Sequence, residues 1–409
     1  MRLYVQYGRS CTTDRLPAFG AATTDSFTSS AASAEAGRTR ATIKAATSLM
    51  SGWDSRVEPV EPISFARGIP APECLAVEEL ADCARAAIER DGATVLNYGS
   101  SGGYAPLREW IAERHQADPS QVVVTNGSLQ GFRFLAELLA PRGPVLVEAP
   151  TYDRPLKILA ALGAEVIPVP LDDDGMVDSP AFFYTIPTFQ NPTGRTLSAD
   201  ARERLAALAR AGMLVFEDDP YGLVRFEGEA PPTVFELAGG ENVAYSSSFS
   251  KTISPGLRVG YLVLAEGLAA EVESAAAAAY ITPALLSQAT VYEFLRRGNL
   301  ESNLERVCAL LRERRDAMVA ALDQHLPEAV WTIPEGGYFL WLELPRGIET
   351  ADLRAEGVTF VPGADFFAGA GGENALRLAF SYASPTEIEE GVRRLASAVR
   401  AALLLRSAA

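Results

Sequence analysis

From Val122 to Leu264 short apolar runs alternate with longer helix-patterned stretches, and Gly, Pro, Asn or Asp punctuates the joins. VVVTNGSLQGFRFLAELLA reads as a strand, a Gly-Ser turn and a helix. PVLVEAPTYD is a strand into a loop, followed by the helix DRPLKILAALG. EVIPVPL is a strand, FFYTIPTFQNPTG a strand into a long turn, and SADARERLAALARAG a helix. MLVFEDDPYG, NVAYSSSFSK and RVGYLVL are further strands, the first two ending in polar residues. This order predicts an α/β domain with a mostly parallel sheet and helices on both faces. Between Leu171 and Phe182 lie only ten residues. A helical crossover between parallel strands takes about a dozen or more, so a loop is expected there, with EVIPVPL at the sheet edge.

Past Ala269 the chain turns helical to about residue 325. Three short strand patterns follow, in WTIPEGGYFLWLELP, GVTFVPG and ALRLAFSYA, and EIEEGVRRLASAVRAALL closes the chain as a helix. That is an α+β lobe, and residues 37–90 are expected to join it. Residues 1–36 are rich in Ser, Ala and Thr and aperiodic, which reads as a flexible extension with a faint transit-peptide flavour. The expected division is an extension at 1–36, the first part of a small domain at 37–90, a large domain at 91–298 and the rest of the small domain at 299–409.

A formal net charge of −16 argues against nucleic acid and anionic lipid surfaces as partners. No apolar run approaches the roughly 18 residues of a membrane span. Four scattered cysteines fit reduced thiols in a cytoplasmic protein better than a disulfide framework. With only two histidines, His115 and His325, neither a metal site nor His-based catalysis is expected, so another group must supply the base.

In open α/β sheets ligands settle at the carboxyl ends of the strands, and the distinctive polar residues fall there. Ser128 and Leu129 open a helix after a Gly turn, where unpaired N–H groups suit a phosphate. Tyr152 follows PVLVEAPT, Asn191 sits in QNPTG, and Asp218 ends LVFED with Tyr221 three residues on. Lys251 stands among Ser248, Ser250 and Arg258 in SFSKTISPGLRVG. A solvated surface lysine needs no such company. A dianion site, a carboxylate, an amine and an aromatic face together meet the needs of pyridoxal phosphate. Its phosphate wants Arg and N–H groups, its ring nitrogen a carboxylate, its aldehyde a lysine and its ring a stacking partner.

The set GSLQ, NPTG, EDDPY and SFSK with its Arg resembles fold-type I pyridoxal-phosphate enzymes. NYGSSGGYAPLREW, PTFQNPTG, FVPGADFF and ENALRLAFSYA narrow the resemblance to the branch of 2-aminoadipate and kynurenine/aminoadipate aminotransferases. It implies a mostly parallel seven-stranded sheet in a large domain, a small α+β domain and a homodimer. It implies amino-group transfer between an L-amino acid and a 2-oxo acid. Lys251 would be the Schiff-base lysine and proton carrier, and Asp218 the partner of the pyridine nitrogen. Tyr221 and Asn191 would bond the ring hydroxyl, and Tyr152 would stack on the ring. Ser128, Leu129, Ser248, Ser250 and Arg258 would hold the phosphate, joined by Tyr98 from the neighbouring subunit. Arg377 would clamp the substrate carboxylate, and Gly68 would let the backbone approach the substrate.

The chain departs from the relatives where the substrate side chain should lie. TRATIKAAT carries Ala41 and Lys44 in place of Ser and Arg, and FARGIP carries Arg67 in place of Gly. Two cations there would suit an acidic substrate side chain. Two alternatives share the fold: a pyridoxal-phosphate enzyme of elimination, replacement or ring closure, and a ligand-sensing regulator. The regulators carry an N-terminal DNA-binding domain, for which residues 1–36 are too short and not basic.

Overall fold

The computed structural model describes residues 62–170, 180–353, 355 and 357–407. The elements run β1 (Ile63–Ser64), α1 (Val77–Val95), α2 (Ala105–His115), β2 (Val122–Thr125), α3 (Ser128–Leu139), β3 (Val145–Ala149), α4 (Asp153–Ala161) and β4 (Val166–Pro170). Then come β5 (Phe182–Thr185), α5 (Ala199–Arg210), β6 (Val215–Asp218), α6 (Val234–Ala238), β7 (Val243–Ser248), β8 (Gly260–Val263), α7 (Glu266–Tyr280), α8 (Leu285–Arg296) and α9 (Asn299–His325). The chain continues through β9 (Val330–Trp331), β10 (Phe339–Glu343), β11 (Val358–Thr359), β12 (Val361–Pro362) and β13 (Ala375–Ala379), and α10 (Pro385–Ser407) follows.

Seven strands form the large sheet in the order β2-β8-β7-β6-β5-β3-β4. All neighbours pair parallel except β8, which runs antiparallel to both β2 and β7. Every residue of β2, β5, β6 and β8 is buried. Helices cover both faces, which is why these strands read as unbroken apolar runs without alternation. The edge position expected for EVIPVPL is the one β4 occupies, and its residues are only partly covered. The loop expected between Leu171 and Phe182 falls on residues 171–179, outside the described residues.

A second sheet, antiparallel, has the order β12-β13-β10-β9 and packs with α9 and α10 around Leu340, Leu342, Leu376, Leu378, Leu311 and Leu395. A short parallel pair, β1 with β11, adjoins it. Residues 37–61 lie outside the described residues, and residues 62–90 divide between the two cores. Ile63, Phe65, Ala71 and Cys74 pack into it, whereas α1 carries Cys83 and Ala87 into the core of the large sheet. The small side chains on that face let α1 lie close against α8. Residues 1–36 lie outside the described residues. No described helix is long and apolar enough to cross a membrane.

Candidate active site

The strand order and directions bring the carboxyl ends of β2, β3, β5, β6 and β7 to one edge of the large sheet, together with the start of β8. Lys251 lies in the turn after β7. The Tyr338 hydroxyl donates to the Lys251 carbonyl at 3.0 Å, and the Asn303 amide donates to the Thr252 carbonyl at 2.6 Å. With its peptide pinned, the Lys251 amine donates to the Gly68 carbonyl at 2.6 Å. It lies 5.1 Å and 5.7 Å from the ring centres of Tyr338 and Tyr221. Desolvation, then the positive charges of Arg377 and Arg258, pull its pKa from 10.5 to about 8. An amine so placed carries far more of its neutral form near neutral pH than an ordinary lysine does.

Asp218 ends β6 and is buried. Its Oδ2 accepts from the Tyr184 hydroxyl at 2.8 Å, while its Oδ1 has no hydrogen-bond partner among the described residues. Burial pushes the carboxyl up to about 7, and the Tyr184 hydrogen bond opposes that shift. Tyr221 is buried three residues on, and burial raises its hydroxyl well above the usual phenol range.

Helix α3 begins at Ser128 behind Gly127, whose φ of 93° suits glycine, and no side chain caps it. A Cβ on Gly127 would fall on the Arg258 guanidinium, and one on Gly260 would fall on the Ser128 nitrogen. These two glycines let a cation and the start of β8 press against a helix N-terminus, a setting made for an anion. Leu129 occupies the next helical position. Beside it, Ser248 Oγ accepts from the Ser250 N–H at 3.0 Å and lies 2.8 Å from Ser250 Oγ.

Arg377 sits on β13 between β10 and β12. Its Nη1 donates to Asn191 Oδ1 and its Nη2 to the Ala66 carbonyl, both at 2.9 Å, and its Nε is buried without a partner. The guanidinium lies 4.1 Å from the Phe339 ring centre, and burial draws its basicity below the usual range. Gly68 passes directly over Phe339, where a Cβ would collide with the ring. Asn191 is aimed by its turn: Gln190 donates to Glu148 Oε2 at 3.0 Å and to the Pro150 carbonyl at 2.6 Å, and accepts from the Thr193 N–H at 3.0 Å.

Tyr152 stands at the start of α4, and burial and the carboxylates of Asp153 and Asp218 raise its pKa. Tyr98 is 75% exposed. Arg67 is exposed too, its guanidinium 5.9 Å from the Tyr382 ring centre. No cost of burying it arises, which removes the desolvation penalty behind the expected pair of buried cations. Lys44 and Ala41 lie outside the described residues. His115 packs 4.6 Å from the Tyr245 ring centre and pairs with the Tyr261 hydroxyl, a structural position.

Sequence reading passes over Tyr184, Tyr338 and Glu148. FFYTIP reads as an apolar strand, and only the rule that a buried phenol seeks a partner marks Tyr184. Tyr338 had the paired glycines of EGGYFLW as its signal, and Glu148 its place as an acid within an apolar strand.

The donors and acceptors fit pyridoxal phosphate. Buried Asp218 Oδ1 matches a protonated ring nitrogen, the Gly127–Gly260 cradle matches a phosphate, and the depressed Lys251 amine matches an aldehyde. Residues 73–395 match the family described as Aminotransferase class I and II. The chain is 40% identical over 364 residues to 2-aminoadipate transaminase of Thermus thermophilus, covering 84% of this chain and 91% of the relative. It is 35% identical to aromatic-amino-acid aminotransferase 1 of Thermococcus litoralis, over 84% and 89% of the two chains. Among solved structures, the α-aminoadipate aminotransferase of Thermus thermophilus complexed with N-(5'-phosphopyridoxyl)-L-leucine superposes with a TM-score of 0.78. It is 38% identical, over 84% of this chain and 93% of that one. A site with the fittings for this cofactor thus sits on the fold these relatives share, and the chain belongs to the class I and II aminotransferases, a fold-type I transferase dependent on pyridoxal 5'-phosphate.

Proposed function

We propose that Lys251 carries the cofactor and the proton in an amino-group exchange between an L-amino acid and a 2-oxo acid, and that one of these substrates has an acidic side chain. When bound, pyridoxal phosphate supplies an aldehyde that takes up the amino group and a ring that draws electrons from Cα. The chain's own residues do the rest. Arg377 offers Nε and an already oriented fork to the substrate carboxylate. Asn191, held by Arg377, joins Tyr221 in bonding the ring hydroxyl. Asp218 holds a proton at the ring nitrogen, and Tyr152 covers the ring. Ser128, Leu129, Ser248, Ser250 and Arg258 receive the phosphate. The Lys251 amine, with a larger neutral fraction than an ordinary lysine, would take the Cα proton and return it two atoms along, past the intervening nitrogen.

The observation that carries this reading is the depressed basicity of Lys251, together with a buried, half-satisfied Asp218 at the end of β6. The acidic side chain rests on Arg67, the residue before Gly68, whose carbonyl touches the Lys251 amine. Arg67 thereby puts a cation at the rim of the site.

The reading also takes the functional unit as a cytoplasmic homodimer in which Tyr98 reaches the partner's phosphate. Leu96 and Tyr98 are 65% and 75% exposed. Exposed Ile281 adjoins Thr282, whose hydroxyl approaches the Ser100 carbonyl at 3.5 Å. These residues form an apolar patch suited to a second subunit.

The test adds amino acids singly to the holoenzyme and reads the cofactor spectrum and the products by mass spectrometry. Acidic amino acids should transaminate best. Arg67→Ala should raise their KM about tenfold, the size of one charge-assisted hydrogen bond, and leave cofactor binding alone. Wild-type kinetics in this variant, with an apolar amino acid as best substrate, would refute the acidic pocket.

A further inference from the structure

We propose that Tyr184 is a positioning residue for the cofactor's electron sink: its phenol ties down one oxygen of Asp218 and fixes the proton of the ring nitrogen on the ring. The inference rests on the pairing of Asp218 with that nitrogen.

The geometry is one of divided oxygens. Tyr184 lies on β5 in register with Phe216 of β6, so Asp218, two residues further on, projects from the same face. The Tyr184 side chain bridges the step and donates to Asp218 Oδ2 at 2.8 Å. Its ring has nowhere to go. It is fully buried, with the ring centres of Phe132 and Phe216 at 5.1 Å and 5.7 Å. Burial also keeps its hydroxyl protonated, since its pKa stands well above the ordinary phenol value. The hydroxyl is therefore a permanent donor at a fixed point. Asp218 Oδ1 is left without a hydrogen-bond partner among the described residues, and the Ser246 hydroxyl on β7 adds a second, smaller pull toward the charged carboxylate.

A buried carboxylate facing a pyridine nitrogen shares one proton with it. The proton rests either on the ring, giving an ion pair, or on the carboxyl, giving two neutral groups. Burial favours the neutral arrangement. A hydrogen bond donated to the charged carboxylate favours the ion pair. Tyr184 supplies that bond on the oxygen that the cofactor does not use. It thus acts on the cofactor's ring without touching it, and the two sites titrate as one unit.

The test loads the full-length protein with cofactor labelled with ¹⁵N in its ring and records that nitrogen's resonance at neutral pH. Tyr184→Phe removes only the oxygen, and the resonance should move from the protonated toward the unprotonated position. Turnover should fall about ten- to a hundredfold, as for one lost bond to a charged group, with KM nearly unchanged. Replacing Tyr184 with 3-fluorotyrosine, a stronger donor of nearly the same shape, should move the resonance the opposite way, and it serves as the test should the phenylalanine variant not fold. A resonance unmoved by either change overturns the role of Tyr184, provided Asp218→Asn moves it. A resonance unmoved by Asp218→Asn as well overturns the pairing itself.

Discussion

At the scale of single residues, the candidate site is a set of polar groups held away from water, and in Asp218 and Arg377 a buried atom has no hydrogen-bond partner among the described residues. Lys251 shows the consequence most directly. Its amine is pulled to about 8 by desolvation and by the charges of Arg377 and Arg258. Capture of pyridoxal phosphate by cofactor-free protein should therefore speed up with pH through a midpoint near 8 before levelling off. An ordinary lysine would keep gaining toward 10.5. Arg377→Gln removes a repelling charge, so it should shift the midpoint upward. Stopped-flow absorbance across pH 6 to 10 measures both, and a midpoint untouched by Arg377→Gln would show that the two charges do not interact. Lys251 stood out in the sequence by its serine and arginine company and Asp218 by its place at a strand end, whereas Arg377 came only from the family resemblance. Tyr184 and Tyr338 were not, because a tyrosine in an apolar run is ordinary core until its hydroxyl partner is seen. Arg67 was legible as a departure but not as an exposed side chain, since stacking on Tyr382 depends on contacts 315 residues apart.

At the scale of elements, the phosphate cradle depends on how closely α3 and β8 approach. Gly127 is held at φ 93°, and its missing Cβ leaves the space that the Arg258 guanidinium fills. Gly127→Ala should thus strain the backbone and push Arg258 aside at once. The expected loss is about 1–3 kcal/mol of stability, together with a rise in cofactor Kd of tenfold or more. Ser128→Ala leaves the backbone N–H groups in place and should cost much less of either. Fluorescence titration and thermal melts separate the two, and equal behaviour of both variants would mean the glycine does not shape the cradle. The long alternating elements were readable from pattern alone, including β4 at the edge, because each one's burial is set by the sheet it belongs to. The split of residues 62–90 was not. The face of α1 that bears Cys83 and Ala87 marks it as amphipathic, yet nothing local tells which lobe it covers. A strand two residues long such as β1 is defined by its partner and carries no period of its own, and GVTFVPG, read as one strand, divides into β11 and β12.

At the scale of the molecule, one chain supplies the proposed phosphate site from α3, β7 and β8 but leaves Tyr98 75% exposed. A second subunit reconciles these facts if each Tyr98 completes its neighbour's site. Tyr98→Phe alone should weaken cofactor binding about tenfold, the loss of one hydrogen bond to a charged group. Mixed dimers then decide where Tyr98 acts. In a heterodimer of Tyr98→Phe and Lys251→Ala chains, action across the interface collects both lesions in one site. The other site keeps Lys251 from its own chain and Tyr98 from its neighbour, so it binds cofactor with wild-type affinity and turns over. Action within the chain instead gives each site one lesion, and no site with both wild-type affinity and turnover survives. Tagging the two chains differently, purifying the heterodimer and titrating cofactor against activity distinguishes the cases. Half the wild-type activity at low cofactor concentration supports the shared site, and its absence places Tyr98 with its own subunit.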